Sequence, residues 1–431
     1  MKSNTPEVIV IGAGLAGLAA ASDLAAAGAR VHICEASDRV GGRLRTERVY
    51  LNGSPADPEA SAFQLDRGFQ VLLSAYPELR RRLDPAPLGL GRFAPGALVR
   101  ANGRLHRVAD PFRAPTALLG TLLAPVGTLK DKLRIAHMRS RVRSVDDPET
   151  LLLGDETTLD ALRQRGFSPT MVDRFLRPLF GGVMLDVDLA TPAGVLDFVF
   201  RMFAVGDAVL PNAGIEAVPR QLHAGLPTDR VQIHTGTTVD RIAEGPVLEI
   251  GPQRWSADAV IVATEGHAFS RLTGQPAPAG KPVLSIQYAT PRPPISSPLI
   301  VLNGEGEGPI LHLSVPSLVA SGYAPQGWHL VHATVLGDAQ NQADEHVQAE
   351  AEAQMRDWFG KDIDHWHLLR LQRIPYGQPA IPPPIRRIYQ PERIQQGVYA
   401  CGDHRAFGSQ HAALRSGGLA ARAVLDDWMQ A

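Results

Sequence analysis

The chain has 431 residues, enough for two or three domains with ample core. Apolar residues make up 44% and charged residues 20%, as in an ordinary globular enzyme, and a net charge of −1 supplies no field for nucleic acid, which is excluded as a partner. Two cysteines and a polar segment ahead of Val8 argue against a disulfide framework and a signal peptide, and no apolar run of about 18 residues exists to span a membrane, so a cytoplasmic location is expected.

The first fifty residues organise the rest. Val8 to Ile11 is an apolar β-branched run, the pattern of a strand buried on both faces. Gly12-Ala13-Gly14-Leu15-Ala16-Gly17 follows, and Leu18 to Ala27 predicts a helix closed by Gly28. Ala29 to Cys34 predicts a second strand, ending at Glu35, twenty-three residues beyond Gly12. Strand, G-x-G-x-x-G, helix, strand and acid in this order predict a dinucleotide site. Gly12 allows the tight turn, Gly14 lets a pyrophosphate approach, and Gly17 lets the helix lie close on the strand. The helix N-terminus faces the phosphates, and Glu35 accepts from a ribose diol. Ala13, Ala16 and Ala36 sit in the same turn and strand end and join the predicted cofactor-binding set.

Next comes Arg39-Val40-Gly41-Gly42-Arg43. Two glycines let the backbone pass under a cofactor, and Arg43 can pair with pyrophosphate oxygens. From Glu35 to Arg43 the sequence resembles the flavin-containing amine oxidoreductase superfamily, which includes monoamine oxidases, protoporphyrinogen oxidases and phytoene desaturase-type enzymes. The resemblance implies FAD rather than NAD. It also implies an α/β fold: a Rossmann-like FAD-binding domain assembled from residues 1–82, 211–275 and 386–431, plus an α+β substrate domain with a mixed sheet from residues 83–210 and 276–385.

Further along, Asp66-Arg67-Gly68 matches the superfamily's Asp-x-Gly stretch beside the flavin ring, or is simple turn chemistry. Phe69 and Gln70 then fall near the reacting face by position. From Leu83 to Leu210 prolines are frequent (Pro85, Pro87, Pro95, Pro111, Pro115, Pro125), and a mostly helical insertion is expected. Ala114 to Leu129 is apolar, and a basic run from Lys130 to Arg143 follows. Residues 114–143 are either a solvated basic face beside a buried helix or a peripheral seat on an anionic membrane. Phe175 to Gly182 and Phe198 to Phe203 are substrate-cavity wall or plain packing.

After Gly214, a helix over Glu216–Ala224 and strands over 231–234, 237–242, 247–250 and 257–264 return the chain to the nucleotide domain. The resemblance places Val239 on the adenine. Residues 281–381 read as a mixed sheet with strands over 283–289, 299–302, 310–315 and 329–336, crossed by a helix over 343–359. The segment His367 to Ala380 ends in Ile374-Pro375-Tyr376-Gly377-Gln378-Pro379, similar to the superfamily's approach to the flavin. Tyr376 is therefore either a cavity residue or packing with its hydroxyl satisfied. Gly397 to Asp403 reads as a buried strand ending in Gly402-Asp403, followed by a helix over His411–Trp428. The resemblance has Asp403 bind the ribityl or pyrophosphate region.

No second G-x-G-x-x-G is present, since Gly304, Gly306 and Gly308 have the wrong spacing. Electrons are therefore expected to enter from substrate as a hydride and to leave to oxygen or a quinone. The amine oxidases' flavin-facing lysine has no match in the strand Val283 to Ala289. Only five lysines occur in the chain, and Lys281 comes too early. Their C-terminal cage tyrosine is replaced by Ser409-Gln410-His411. Both departures favour oxidation of CH–CH or CH–NH bonds in a hydrophobic small molecule over amine oxidation. The catalytic candidates are Tyr376, His404, His411 and Gln70, and each histidine is a base or a structural residue. No metal site is expected. Competing readings are a redox-neutral flavin-dependent isomerase of a carotenoid-like lipid, an amine oxidase, and a non-catalytic flavin-binding protein.

Overall fold

β1 (Glu7–Ile11) is flanked on both sides by parallel strands, β2 (Arg30–Cys34) and Ala259–Val262, which is why its four apolar residues are all buried. The computed structural model describes residues 5–51, 62–110, 113–114 and 118–430. Pro111, Pro115 and residues 115–117 of the basic-apolar segment lie outside them. The first sheet runs Val231–His234, β2, β1, Ala259–Val262, Val398–Ala400 and Arg393–Gln395, parallel except for the last pair. Three stretches far apart in sequence thus build one nucleotide-type sheet. α1 (Leu15–Ala26) covers it, and the C-terminal helix Gln410–Gln430 crosses α1. At the crossing, a Cβ on Gly417 would stand 2.2 Å from the Ala16 carbonyl oxygen, so only glycine admits the approach. Of the strand expected over 237–242, only Arg241–Ile242 pairs, as the edge of a three-stranded meander.

The second sheet has seven strands in the order His367–Pro379, Gly280–Thr290, His329–Val335, Ile310–Ser314, Ile300–Asn303, Gly96–Ala101 and Arg104–Ala109. The last two lie inside the insertion, which is otherwise mostly helical as expected, and were not foreseen. They form a hairpin turning through Asn102 and Gly103, both with positive φ, as an Asn-Gly turn requires. One face of the sheet (Leu284, Ile286, Val331, Ala333) packs on the helix Asp344–Phe359 through Val347, Ala351 and Met355. The opposite face carries Ser285, Gln287, His312, Ser314, His332 and Thr334, all buried. The helices Leu118–Leu123, Leu129–Arg143 and Ala193–Val205 complete this half, with a wide π-helical turn over Val172–Gly181 that holds Pro178.

Candidate functional site

Glycines bring the site together. Gly12 has φ +105°, and a Cβ there would sit 2.9 Å from the Ala263 oxygen. A Cβ on Gly17 would sit 1.9 Å from the Gly12 oxygen. The Gly41 amide donates to the Ala13 carbonyl at 2.9 Å, and Gly42, at φ +59°, packs its α-carbon side on Gly14. The two N-terminal glycine motifs are therefore stacked. By contrast, nothing lies within 4 Å of the Cβ position on Gly14, which leaves the helix N-terminus open to a ligand. Glu35 is fixed at the strand end: it accepts from the Ala13 amide at 2.7 Å and from the Ser37 amide and hydroxyl at 2.9 and 2.6 Å. Arg43 donates to Asp403 at 2.6 Å and to the Gly377 carbonyl at 3.0 Å. The Gly402 amide, at φ +138°, donates to Ser416 of the C-terminal helix.

Residues from the start, middle and end of the chain thus surround one channel. Gly12, Gly14, Ala16, Glu35, Ala36, Gly42, Arg43, Val239, Gly402 and Asp403 all line it, while Ala13 contributes its backbone behind them. The donor set fits an extended dinucleotide. Along the channel stand the Glu35 carboxylate, the open helix N-terminus, the Arg43 guanidinium and, at the far end, Thr237 to Val239, groups of the kind a ribose and a diphosphate require. Thr264 also lines the channel, and its buried hydroxyl has no hydrogen-bond partner among the described residues.

The channel opens into a cavity, and the two together enclose about 1030 Å³. Gly68 (φ +80°), Phe69 and Gln70 stand at the junction, and a Cβ on Gly68 would meet Ile374 at 2.9 Å. The Gln70 amide is tied to the Arg43 and Arg67 carbonyls, both at 2.9 Å, which makes it a brace for the Gly42–Arg43 turn. Beyond the junction the walls are apolar: Phe175, Leu179 and Phe180 from the π-helical turn, and Val199, Phe200 and Phe203 from Ala193–Val205. Tyr376 lines the channel with its ring 5.5 Å from the Arg43 guanidinium, and burial, with Asp403 adding to it, pushes its phenol up to about 12. It stays neutral and can only hydrogen-bond.

Neither candidate histidine reaches the cavity. His404 lies against the Phe269 ring at 4.9 Å, and burial lowers it to about 4. His411 is stacked on Tyr76 and bonded to Glu149 at 2.8 Å. Both face away from the channel because the turn Asp403–Arg405 and the first turn of the last helix aim them into the core. Lys281 is likewise committed elsewhere, to Thr191 at 2.6 Å, the Met184 carbonyl at 3.1 Å and Asp186 at 3.6 Å. Cys34 and Cys401 are free and buried, and desolvation raises both thiols, to about 11 and 12. Sequence reasoning missed His312 and Thr334, which line the cavity wall from the second sheet. Alternation shows that their strands have two faces but does not tell which one meets the cavity.

A family model described as flavin containing amine oxidoreductase matches residues 15–425. A carotenoid phi-ring synthase of Streptomyces griseus is 26% identical over 340 residues, covering 75% of this chain and 64% of that protein, so the chain spans just under two thirds of this relative's length. Among solved structures, a protoporphyrinogen oxidase-like protein of Exiguobacterium sp. 255-15 superposes with a TM-score of 0.71 at 16% identity, covering 99% of this chain and 100% of the other. Cyclohexylamine oxidase of Brevibacterium oxydans IH-35A superposes with a TM-score of 0.69 at 18% identity, covering 99% and 100%. These two likenesses show the fold.

Proposed function

The chain belongs to the flavin-containing amine oxidoreductase family, and from that premise we propose that it is an FAD-dependent oxidoreductase that oxidises a CH–CH or CH–NH bond of a largely apolar, isoprenoid-like small molecule. FAD, when bound, supplies the two-electron acceptor. Residues 1–82, 211–275 and 386–431 hold it, with Glu35 on the ribose and Arg43, Asp403 and the α1 N-terminus at the diphosphate. Residues 83–210 and 276–385 hold the substrate. The observation that carries this reading is the single cavity: one end is the glycine channel and the other is walled by Phe175, Leu179, Phe180, Phe200 and Phe203. Such walls orient an apolar molecule and exclude water, and positioning alone accounts for much of the rate of a hydride transfer. The withdrawal of Lys281 into its pairing with Asp186 and Thr191 disfavours amine oxidation. The carotenoid enzyme among the relatives supports an isoprenoid.

Six leucines between Leu118 and Leu133 are 40–75% exposed, and four of them (Leu118, Leu122, Leu129, Leu133) also line the cavity. Exposed Lys130, Arg141 and Arg143 stand on the same helix. An apolar rim with flanking cations suits an anionic bilayer from which a lipid-like substrate enters. Among the described residues no helix is long and apolar enough to cross a membrane. The test is anaerobic mixing of the purified holoenzyme with carotenoids, polycyclic hydrocarbons and amines. Bleaching by an apolar compound supports the proposal. Bleaching by amines alone, or by NADPH alone, refutes it. Oxygen and quinones are then compared as oxidants of the reduced enzyme.

A further inference from the structure

The wall of the cavity that comes from the second sheet is not apolar. His312 and Thr334 face each other across neighbouring strands, and both line the cavity. His312 is 3% exposed and Thr334 1%. Among the described residues, neither ring nitrogen of His312 nor the Thr334 hydroxyl has a hydrogen-bond partner. Their neighbour His332, by contrast, is bonded to Ser285 at 2.8 Å. Phe69, at the junction with the glycine channel, lies 5.2 Å from the His312 ring. On the other side, the Gly182 backbone closes on the imidazole so tightly that a Cβ there would stand 2.4 Å from Nδ1.

Two buried, unpartnered polar groups side by side are costly unless something bonds to them. A hydrocarbon that filled the cavity would strand both. Burial lowers His312 to about 4, so the imidazole is neutral. A neutral imidazole offers one donor and one acceptor, and a threonine hydroxyl offers both. That complement matches a hydroxyl or a carbonyl. It does not match an ammonium or a carboxylate, which would enter without a counter-charge. We propose that His312 and Thr334 form a subsite for one neutral oxygen group, hydroxyl or carbonyl, carried by an otherwise apolar substrate close to Phe69. This rests on the reading of the cavity as the substrate site and narrows the substrate class: an oxygenated isoprenoid is preferred to the bare hydrocarbon.

The experiment is calorimetric titration of the holoenzyme with three fifteen-carbon probes: farnesol, β-farnesene and farnesylamine. Farnesol is expected to bind at least about tenfold more tightly than β-farnesene, the factor corresponding to ~1.4 kcal/mol. Thr334→Val and His312→Phe each shrink that ratio, the double variant brings it to about one, and Thr334→Ser retains it. FAD content and melting temperature check that each variant folds. If the double variant does not fold, the near-isosteric Thr334→Val decides alone. Absence of farnesol binding, equal binding of the two probes by the natural protein, a preference for farnesylamine, or a preference surviving in Thr334→Val overturns the proposal. Calorimetry reads binding without turnover. A farnesol preference that depends on Thr334 in a protein whose flavin no compound bleaches would sink the catalytic reading and leave the subsite standing.

Discussion

Replacing Gly417 by alanine tests whether the two ends of the chain make one site. The new Cβ would lie 2.2 Å from the Ala16 carbonyl oxygen, 3.0 Å from its carbon and 3.2 Å from its Cα. All three are backbone atoms of α1, so no side-chain rotation relieves the contact, and the helices must part by roughly 1 Å. Forcing an extra methyl into a packed interior costs about 1–3 kcal/mol, here toward the upper end because backbone must move. The better helix propensity of alanine returns ~1 kcal/mol, which leaves a net loss of about 2 kcal/mol. Ala16 is two residues past Gly14, so the displacement reaches the open helix N-terminus. FAD affinity is then expected to fall by at least about tenfold, or ~1.4 kcal/mol. Gly418→Ala is the control: its Cβ meets first the ends of the Asp23, Arg82 and Arg81 side chains rather than backbone, and side-chain ends can shift. Flavin absorbance titration of the reconstituted proteins and thermal melts give both quantities. If Gly417→Ala binds FAD and melts like the natural protein while Gly418→Ala is the worse variant, the convergence of the two helices on the cofactor is refuted.

Glu35→Gln keeps the shape but turns into an NH₂ group one of two acceptor oxygens, of which one takes the Ala13 amide and the other the Ser37 amide and hydroxyl; FAD affinity should drop by about tenfold with the fold retained, as read by the same titration. Burial lifts Asp66 to about 6 despite donors from Thr46, Tyr323 and Ile215. Because the folded value lies above the unfolded one, the folded state keeps its proton longer. The associated stability is full below pH 4 and is lost as pH rises through 6, about 3 kcal/mol in all. Urea melts of the natural protein and Asp66→Asn should therefore diverge by that amount between pH 4 and 7, and parallel pH profiles would contradict the assignment. Lys281→Met should lower stability by about 1–3 kcal/mol by removing the cation beside Asp186, yet leave the rate of flavin reduction unchanged; a large rate loss would make Lys281 a catalytic group after all.

The cofactor half was legible because its glycines answer to local backbone contacts. Gly12, Gly17, Gly41 and Gly42 are needed by the very turns they form, and Gly402 by its own left-handed conformation, so short motifs carry the geometry. The hairpin Gly96–Ala109 had a clear local sign in Asn102-Gly103, but the surrounding prolines suggested a broken helical region instead. His404 and His411 show the opposite failure. Both are close to Asp403 in sequence, but a tight turn and a helix face aim them at Phe269 and Glu149. Adjacency along the chain fixes where a backbone goes and leaves the direction of a side chain to the packing.

His312 and Thr334 mark the same boundary from the other side. The alternation in Ile310–Ser314 and His329–Val335 gives two faces of differing polarity, and an open sheet would turn its polar face to water. Here the apolar face is claimed by the helix Asp344–Phe359, and the polar face is turned toward Asp66 and Phe69. Polarity that would mark a solvent face in a smaller protein therefore marks the floor of a cavity in this one. A pattern of period two becomes a statement about substrate only once the layer on each side of the sheet is known, which is why the cofactor could be read from the chain and the oxygen-binding wall could not.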